Sequence, residues 1–343
     1  MESEIKSQGF FIENLINRYI INYCVLMDIP LEVKRVVIIA SGSSYNAGLF
    51  GKYFFENISN TKASVEYSSE IIGSTFNDFS SDTLYIFISQ SGNSADTVEA
   101  MQKAKRSGAK VLCITNNLGS KMYEKADYNF YLDVGIENAI ASTKTFTASV
   151  VMLWLIALKI AQNKHIDIGE ETKNIYSIRQ SIESVFTQTD NLEMASKFLS
   201  KQNDFSIAGY GPNYPLAMEA SLKIKETSYI NTSAYPMGEF IHGHFALLNK
   251  SKVLMTFITQ DSTKRELELL NKILKTYKTK TIIISDSYED YNCDILIKFP
   301  KGQSKIANLI NMIIVIQMLA LKVAKKLGRN VDKPKGLCKV VGK

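Results

Sequence analysis

Residues 83–99 read Thr83-Leu-Tyr-Ile-Phe-Ile-Ser-Gln-Ser-Gly-Asn-Ser-Ala-Asp-Thr-Val-Glu99 and contain the transition that decides the fold. The first six residues form an apolar run with the length and composition of a buried strand. A helical pattern follows, in which Val98, Met101 and Ala104 recur at helical spacing before Gly108 ends it. A buried strand therefore passes through a hydroxyl-rich turn into a helix, which is the building unit of a parallel α/β sheet.

The turn between this strand and this helix has the composition of a phosphate-binding loop. The start of a helix has unpaired backbone N–H groups and a partial positive charge. Ser89, Ser91 and Ser94 add hydroxyl donors, Gln90 adds an amide, and Gly92 lets the backbone come close to a phosphate. The loop therefore predicts a site for a small phosphorylated ligand. The alternative is a serine-rich turn in which Ser91 or Ser94 only caps the helix.

The pattern of strand, glycine turn and helix occurs twice in the chain. Three pairs of equivalent positions are offset by 167, 170 and 170 residues, namely Gly42 and Gly209, Gln90 and Gln260, and Thr115 and Ser285. Two copies of one βαβαβ unit predict two tandem subdomains, each a flavodoxin-like, doubly wound parallel sheet with helices on both faces. We expect the subdomains over residues 1–170 and 171–328, followed by a C-terminal tail over 329–343.

The two copies differ at the position that matters most for an anion. Ser91 of the first copy is replaced by Asp261 in the second, and a carboxylate there would repel a phosphate. We therefore expect the phosphate at Ser89–Ser94 rather than at Thr259–Ser262.

Composition is that of an ordinary globular protein, with 343 residues, 45% hydrophobic content and a net charge of +6. The polar N-terminus does not resemble a signal peptide. Two very apolar segments, 150–160 and 309–324, adjoin or contain polar residues such as Lys159 and Asn311, so they predict buried helices and no membrane partner.

The four cysteines, Cys24, Cys113, Cys293 and Cys338, are far apart and form no CxxC pair. This spacing favours neither disulfides nor zinc, and it fits a reducing cytoplasm. The tail from Lys322 to Lys343 contains eight basic residues but no interleaved aromatics. We therefore expect it to be solvated or to attract an anionic small molecule rather than to bind nucleic acid.

Three charged residues, Glu219, Lys223 and Glu226, recur at helical spacing and therefore share one face of a helix. Such a pattern is most often a salt-bridged surface face. The apolar residues around it, including Leu222 and Ile224, instead indicate a helix with little exposed perimeter. A partly buried carboxylate is suited to general acid–base chemistry.

Several stretches of the sequence resemble the sugar isomerase (SIS) family, and within it the isomerase domains of aminotransferases that act on fructose 6-phosphate. The stretches that carry the resemblance are 41–48, 89–97, 141–147, 214–229, 234–243 and 331–340. The similarity runs from Met1 into the tail and implies an enzyme acting on sugar phosphates. Those aminotransferases have a glutaminase domain upstream; because the isomerase-like region begins at Met1 here, we expect no glutaminase activity.

The resemblance implies roles for four residues. Glu226 matches the glutamate that moves a proton between C1 and C2, and Lys223 matches a neighbouring lysine that tunes the site. His242 matches a ring-opening histidine supplied by a neighbouring subunit, which implies a homodimer or a higher homo-oligomer. Lys339 matches a tail lysine that forms a Schiff base with the open-chain ketose. His244 departs from the family, but two histidines without a third ligand do not predict a metal site.

The residues that the resemblance assigns to the phosphate and sugar hydroxyls are Ser43, Ser44, Ser89, Gln90, Ser91, Ser94 and Ser142. No cofactor is implied. The expected reaction interconverts glucosamine 6-phosphate with fructose 6-phosphate and ammonia. Two alternatives stay open: a deglycase that splits fructose–amino-acid 6-phosphates, and a non-catalytic sugar-phosphate sensor.

Overall fold

The structure is a computed structural model that describes residues 1–74, 79–240, 242–248, 252–277, 279–287, 289 and 291–339. The chain forms two compact units. The first unit comprises Ser7–Asn138, Ser142–Tyr176 and the tail residues Cys338 and Lys339. The second unit comprises Met1–Lys6, Ala139–Ala141 and Ser177–Leu337. Lys343, which we expected to add to the charge of the tail, lies outside the described residues.

The strands, in chain order, are β1 (Ile20–Ile21), β2 (Cys24–Val25), β3 (Arg35–Ala40), β4 (Lys62–Tyr67), β5 (Thr83–Ile88), β6 (Lys110–Thr115), β7 (Tyr128–Tyr131), β8 (Asp204–Gly209), β9 (Asn231–Pro236), β10 (Val253–Ile258), β11 (Lys280–Ser285) and β12 (Ile295–Lys298).

The α-helices are α1 (Glu2–Lys6), α2 (Gln8–Tyr19), α3 (Ser43–Ile58), α4 (Ser68–Gly73), α5 (Ala95–Arg106), α6 (Lys121–Lys125), α7 (Lys144–Asn163), α8 (Gly169–Thr172), α9 (Ile178–Gln188), α10 (Leu192–Leu199), α11 (Asn213–Ser228), α12 (Met237–Phe240), α13 (Lys264–Tyr277) and α14 (Lys305–Lys326). Two short 3₁₀ helices span Ile175–Ser177 and His244–Leu247.

Each unit is built on a five-stranded, wholly parallel sheet. The order is β4-β3-β5-β6-β7 in the first unit and β9-β8-β10-β11-β12 in the second. The two orders are identical once the strands are numbered from the start of each copy. The predicted duplication and the predicted doubly wound parallel fold are therefore confirmed.

Helices cover both faces of the first sheet. Gly48 and Gly51 of α3 lie over Ile38, and a Cβ at either glycine would stand 2.9 Å from a side-chain carbon of that isoleucine. The absence of a side chain at both positions therefore lets α3 approach the sheet. Val37 and Ile39 point to the opposite face, where they join the core that includes residues of α5.

The second sheet is covered in the same way. Leu269 and Ile273 of α13 pack on Ala208 and Leu254, which belong to β8 and β10. Helices α9, α10 and α11 each contact the long apolar helix α14. The core therefore lies on both sides of this sheet as well.

Two helices, α7 and α14, are long and apolar enough to cross a membrane on length and composition alone. In each of them, 89% of the most apolar window is buried inside the protein. The buried helices predicted over 150–160 and 309–324 are therefore present. Their apolar surface is taken up by packing against other helices.

One strand in each copy is not marked by an apolar run in the sequence and was not predicted. The missed strands, β4 and β9, read Lys-Ala-Ser-Val-Glu-Tyr and Asn-Thr-Ser-Ala-Tyr-Pro. Both contain several polar residues, and most of their side chains are partly or fully exposed, so they lack the continuous apolar run that marks a central strand.

Candidate active site

The loops predicted to bind the phosphate lie at the carboxyl edge of the first sheet. Ala40 of β3 is aligned with Ile88 of β5, so these neighbouring strands end together. Ser43 and Ser44 begin α3 just after β3, and Ser89–Ser94 follows β5. The connections that follow β3 and β5 run to opposite faces of the sheet. Doubly wound sheets bind ligands in the crevice between two connections of this kind.

Gly92 is required by packing within the loop. Its φ is +61°, a left-handed conformation that favours glycine. A Cβ at this position would stand 2.1 Å from Ser120 Oγ and 2.8 Å from Thr115 Oγ1. A side chain at this position would therefore clash with both of these residues.

Two of the predicted phosphate-binding serines contact each other. The Oγ atoms of Ser89 and Ser94 are 3.0 Å apart. Val98 N donates a hydrogen bond of 2.9 Å to Ser94 O, so the N–H groups of residues 95–97 precede the first bond of α5. Two hydroxyls and a helix start therefore lie together, and this set of donors suits an anion.

Hydrogen bonds fix the rest of the loop, which contains Gln90, Ser91 and Asn93. Asn93 N donates to Ser91 Oγ at 3.2 Å, so the hydroxyl proton of Ser91 is left for another acceptor. Asn93 Oδ1 accepts from Lys121 N at 3.1 Å, and Gln90 O accepts from Asn116 N at 3.1 Å. The backbone of the loop is therefore tied to the segment that follows β6.

Lys339 of the tail lies in a cavity that also contains part of this loop. The cavity has a volume of about 390 Å³ and is lined by Gln90, Ser91, Asn93, Asn116, Asn117, Tyr131, Gly135, Ile136, Glu137 and Lys339. The lysine ammonium donates to Oε2 of Glu137 at 2.7 Å. Two sets of predicted site residues that are far apart in sequence, the loop after β5 and the tail lysine, therefore share one cavity.

Glu137 is a buried carboxylate with several partners. Its Oε1 accepts from Thr143 N at 3.0 Å and from Thr145 N at 3.1 Å, so it caps the start of α7. Burial favours the neutral acid, but the charge of Lys339 and the hydrogen bonds from Lys339, Thr145 and Thr143 hold the pKa of Glu137 below its usual range. The group is therefore ionised at neutral pH.

Ser142 joins the same group of side chains. Its Oγ lies 2.7 Å from Thr145 Oγ1, and that threonine hydroxyl donates to Glu137 Oε2 at 2.6 Å. The structure thus links Ser142 to Lys339 through the carboxylate. Sequence reasoning missed Glu137; the available signal was an acidic residue shortly before the start of a long apolar helix, where a carboxylate can cap free N–H groups.

In the second unit, the face predicted to carry Glu219, Lys223 and Glu226 is present on α11. The side chains of Lys223 and Glu219 are fully buried, whereas that of Glu226 is 21% exposed. Lys223 Nζ lies 2.5 Å from Glu226 Oε2 and 3.4 Å from Glu219 Oε1. The arrangement is a buried lysine between two carboxylates, of which only Glu226 reaches solvent, so the surface-face interpretation of this pattern is wrong.

His242 lies on an exposed turn between α12 and the following 3₁₀ helix. Its backbone N–H donates to Glu239 O at 2.9 Å. His244 is partly buried, and its ring lies 4.1 Å from that of Tyr235 and 5.9 Å from that of Phe240. Within the part of the chain that the structure describes, no group of three or more His, Cys, Asp or Glu side chains is arranged to hold a metal ion.

The second copy has its own cavity at the matching strand ends, with a volume of about 550 Å³. Its lining consists of Thr259, Gln260, Ser262, Leu267, Ser287, Glu289 and Tyr291. Glu289, in the loop after β11, brings a carboxylate into this lining, and Asp261 is exposed in the loop after β10. The loop after β10 therefore carries an exposed carboxylate at the position that Ser91 occupies in the first copy.

Comparison with known proteins places this architecture in a family. The SIS domain family matches residues 31–159 and 198–322, which covers both copies of the repeat. The chain therefore belongs to the SIS domain family, and its fold is that of the sugar-phosphate isomerases.

Two curated relatives are glutamine–fructose-6-phosphate aminotransferases. That of Buchnera aphidicola is 32% identical over 99% of this chain and 58% of the relative, and that of Clostridium tetani is 34% identical over 90% of this chain and 52% of the relative. The chain thus spans about half the length of the curated relatives it matches.

Solved structures agree with the family. The C-terminal domain of the glucosamine-fructose-6-phosphate aminotransferase of Francisella tularensis is 29% identical, with a TM-score of 0.90 over 96% of this chain and 97% of that domain. The glucosamine-6-phosphate deaminase of Thermotoga maritima shares the fold, with a TM-score of 0.78 at 21% identity over 99% of this chain and 98% of that protein.

Proposed function

We propose that this chain is a phosphosugar isomerase that acts on hexose 6-phosphates and interconverts glucosamine 6-phosphate and water with fructose 6-phosphate and ammonia. The observation that carries the proposal is the cavity shared by Lys339, Gln90 and Ser91. It sets a primary amine, which can condense with a carbonyl, beside a loop suited to a phosphate. The sequence relatives are named for fructose 6-phosphate, which has both groups.

In this proposal, the loop after β5 holds the substrate and Lys339 captures its carbonyl. The hydroxyls of Ser89 and Ser94, together with the start of α5, bind the phosphate. The amine of Lys339, once it has lost its proton, adds to C2 of the open-chain ketose. A C–N bond forms and water leaves, which yields an imine. Ammonia then displaces the lysine nitrogen and leaves an imine of the sugar itself.

The acid–base chemistry is assigned to Glu226 and His242. Glu226 removes a proton from C1 of the sugar imine and delivers it to C2, while the C1 hydroxyl loses its proton and the imine nitrogen gains one. C1 thereby becomes the aldehyde, and C2 carries the amino group. The Glu226 carboxylate suits this role because it reaches solvent while Lys223 behind it is fully buried. His242 opens the sugar ring, and we propose that it acts in a homo-oligomer. We also propose a cytoplasmic location, which fits a sugar-phosphate substrate.

The decisive experiment is a coupled assay of the purified protein with glucosamine 6-phosphate and, separately, with fructose–amino-acid 6-phosphates. We expect ammonia and fructose 6-phosphate from the first substrate. The Glu226→Gln variant should lose roughly a hundredfold or more in turnover, because it removes the proton-transfer group. Turnover of only the amino-acid adducts would favour the deglycase. Tight binding of hexose 6-phosphates with no turnover would indicate a sensor.

A further inference from the structure

The hydrogen bonds around Glu137 form a chain with a defined direction. Lys339 Nζ and Thr145 Oγ1 both donate to Oε2 of Glu137, at 2.7 Å and 2.6 Å. The next link is the 2.7 Å contact between Thr145 Oγ1 and Ser142 Oγ, in which either oxygen could hold the proton when the pair is considered alone. The carboxylate removes this ambiguity.

A carboxylate accepts hydrogen bonds and donates none when it is ionised. The side chain of Glu137 is fully buried, but its acceptor atoms are occupied by an ammonium, two backbone N–H groups and a hydroxyl, which together keep it ionised. Thr145 has one hydroxyl proton, and it is committed to Oε2. Thr145 Oγ1 is therefore the acceptor in its contact with Ser142. The Ser142 hydroxyl donates its only proton to this oxygen.

We propose that Glu137 is a positioning residue that makes Ser142 a pure hydrogen-bond acceptor toward the substrate. This inference rests on the proposed function, since it needs a sugar phosphate as ligand. With its proton committed, Ser142 offers only lone pairs, and it binds a donor such as a hydroxyl of the sugar. The Ser142 oxygen repels the oxygens of a phosphate, because both are acceptors. Ser142 therefore contacts the sugar rather than the phosphate.

The same oxygen of Glu137 orients the ammonium of Lys339. One buried carboxylate therefore orients two groups. They are the amine that condenses with the carbonyl and the hydroxyl oxygen that accepts a hydrogen bond from the sugar. Glu137 also caps α7, the helix whose first turn contains Thr145. The cap fixes the backbone on which this chain of hydrogen bonds is built.

The test uses fructose 6-phosphate and analogues in which the hydroxyl at C1, C3 or C4 is replaced by fluorine, which cannot donate a hydrogen bond. Dissociation constants are measured by calorimetry. In the wild-type protein, fluorine at one of these positions should weaken binding about tenfold, because a donor to Ser142 is lost. In Thr145→Val, the Ser142 hydroxyl is released and can turn toward the fluorine, so this penalty should fall below about threefold.

Ser149→Ala is the matched control. Ser149 is a buried hydroxyl on the same helix, and its Oγ donates to the Thr145 carbonyl at 2.8 Å rather than to the carboxylate. This variant should keep the wild-type penalty. Glu137→Gln should behave like Thr145→Val if it folds, as checked by circular dichroism. Binding of inorganic phosphate alone should be unchanged in Ser142→Ala and weakened in Ser94→Ala.

Three results would overturn the proposal: the same fluorine penalty in the wild-type protein and in Thr145→Val, a loss of phosphate binding in Ser142→Ala, or no binding of any hexose 6-phosphate. Failure of the proposed function looks different. In that case the sugars bind and the fluorine penalty depends on Thr145, but the wild-type protein turns none of them over.

Discussion

Lys339 Nζ lies 2.7 Å from Oε2 of Glu137, so a lysine of the C-terminal tail is joined to a fully buried carboxylate that precedes α7. This contact separates Lys339 from the other basic residues of the tail. The side chain of Lys335, four positions earlier, is exposed. A buried partner restricts a lysine that would otherwise sample many rotamers, and a group that must attack a carbonyl benefits from that restriction.

Replacing Lys339 by arginine should abolish turnover while hexose 6-phosphate still binds. Arginine keeps the charge but has no nucleophilic amine at neutral pH. We expect turnover of glucosamine 6-phosphate to fall roughly a hundredfold or more, a loss of about 3 kcal/mol of transition-state stabilisation. Lys335→Ala is the control; it should mainly weaken binding, and more so at low salt. Normal turnover by Lys339→Arg would rule out the Schiff-base role.

The ionised state of Glu137 predicts a loss of stability in acid. Because the folded protein holds its pKa below the usual range, Glu137 contributes stability above the unfolded pKa of about 4.5, and this contribution is lost as the pH falls through the folded value. The difference in unfolding free energy between the wild-type protein and Glu137→Gln should be constant above about pH 5.5 and shrink below about pH 4.5. Urea titrations at several pH values test this; a difference that grows in acid would contradict it.

The phosphate should bind at the first-copy loop and not at the second. Ser94→Ala removes a hydroxyl from the predicted anion site and should weaken hexose 6-phosphate binding by about 10-fold to 100-fold, the value of a hydrogen bond to a charged group. Ser262→Ala is the matched change in the second copy and should have no effect. Calorimetry measures both. A sulfate or a substrate found only at Thr259–Ser262 would reverse the assignment.

Two inactive variants should restore activity when they share an oligomer. We expect a homodimer in which His242 completes a site formed mainly by the other chain, because it lies on an exposed turn. Mixing Glu226→Gln with His242→Ala then creates some sites with both groups intact, and part of the activity should return. Subunit exchange is verified first with differently tagged chains. No recovery after proven exchange would argue for a site within one chain.

Lys223 should matter for stability far more than its neighbour Lys225. Lys223→Met removes the cation buried against Glu219 and Glu226 and leaves an uncompensated buried carboxylate. We expect a loss of about 3–5 kcal/mol in unfolding free energy. Lys225 is exposed on the same helix, so Lys225→Met should stay within about 0.5 kcal/mol of the wild-type protein. Urea denaturation compares them, and equal losses would contradict the buried ion pair.

The central strands and the duplication could be predicted because buried parallel strands have continuous apolar runs. Thr83–Ile88 and Val253–Ile258 are entirely buried, and hydrophobicity alone marks them. The strands β4 and β9 were missed because polar residues interrupt their sequences and most of their side chains are partly or fully exposed. The helical spacing of Glu219, Lys223 and Glu226 placed them on one face, whereas the burial of Lys223 depended on α14, β8 and β9, which pack against α11.

The sequence by itself determined the repeat, the parallel sheets and the hydroxyl-rich loop at Ser89–Ser94, because strand burial, turn chemistry and helix starts depend on neighbouring residues. Only the tertiary structure decided that Lys339 meets Glu137, and that Ser142 is linked to the same carboxylate through Thr145. These groups come from the loop after β7, the start of α7 and the tail. Local spacing carries no information about contacts between such distant segments, since the packing of the whole unit brings them together.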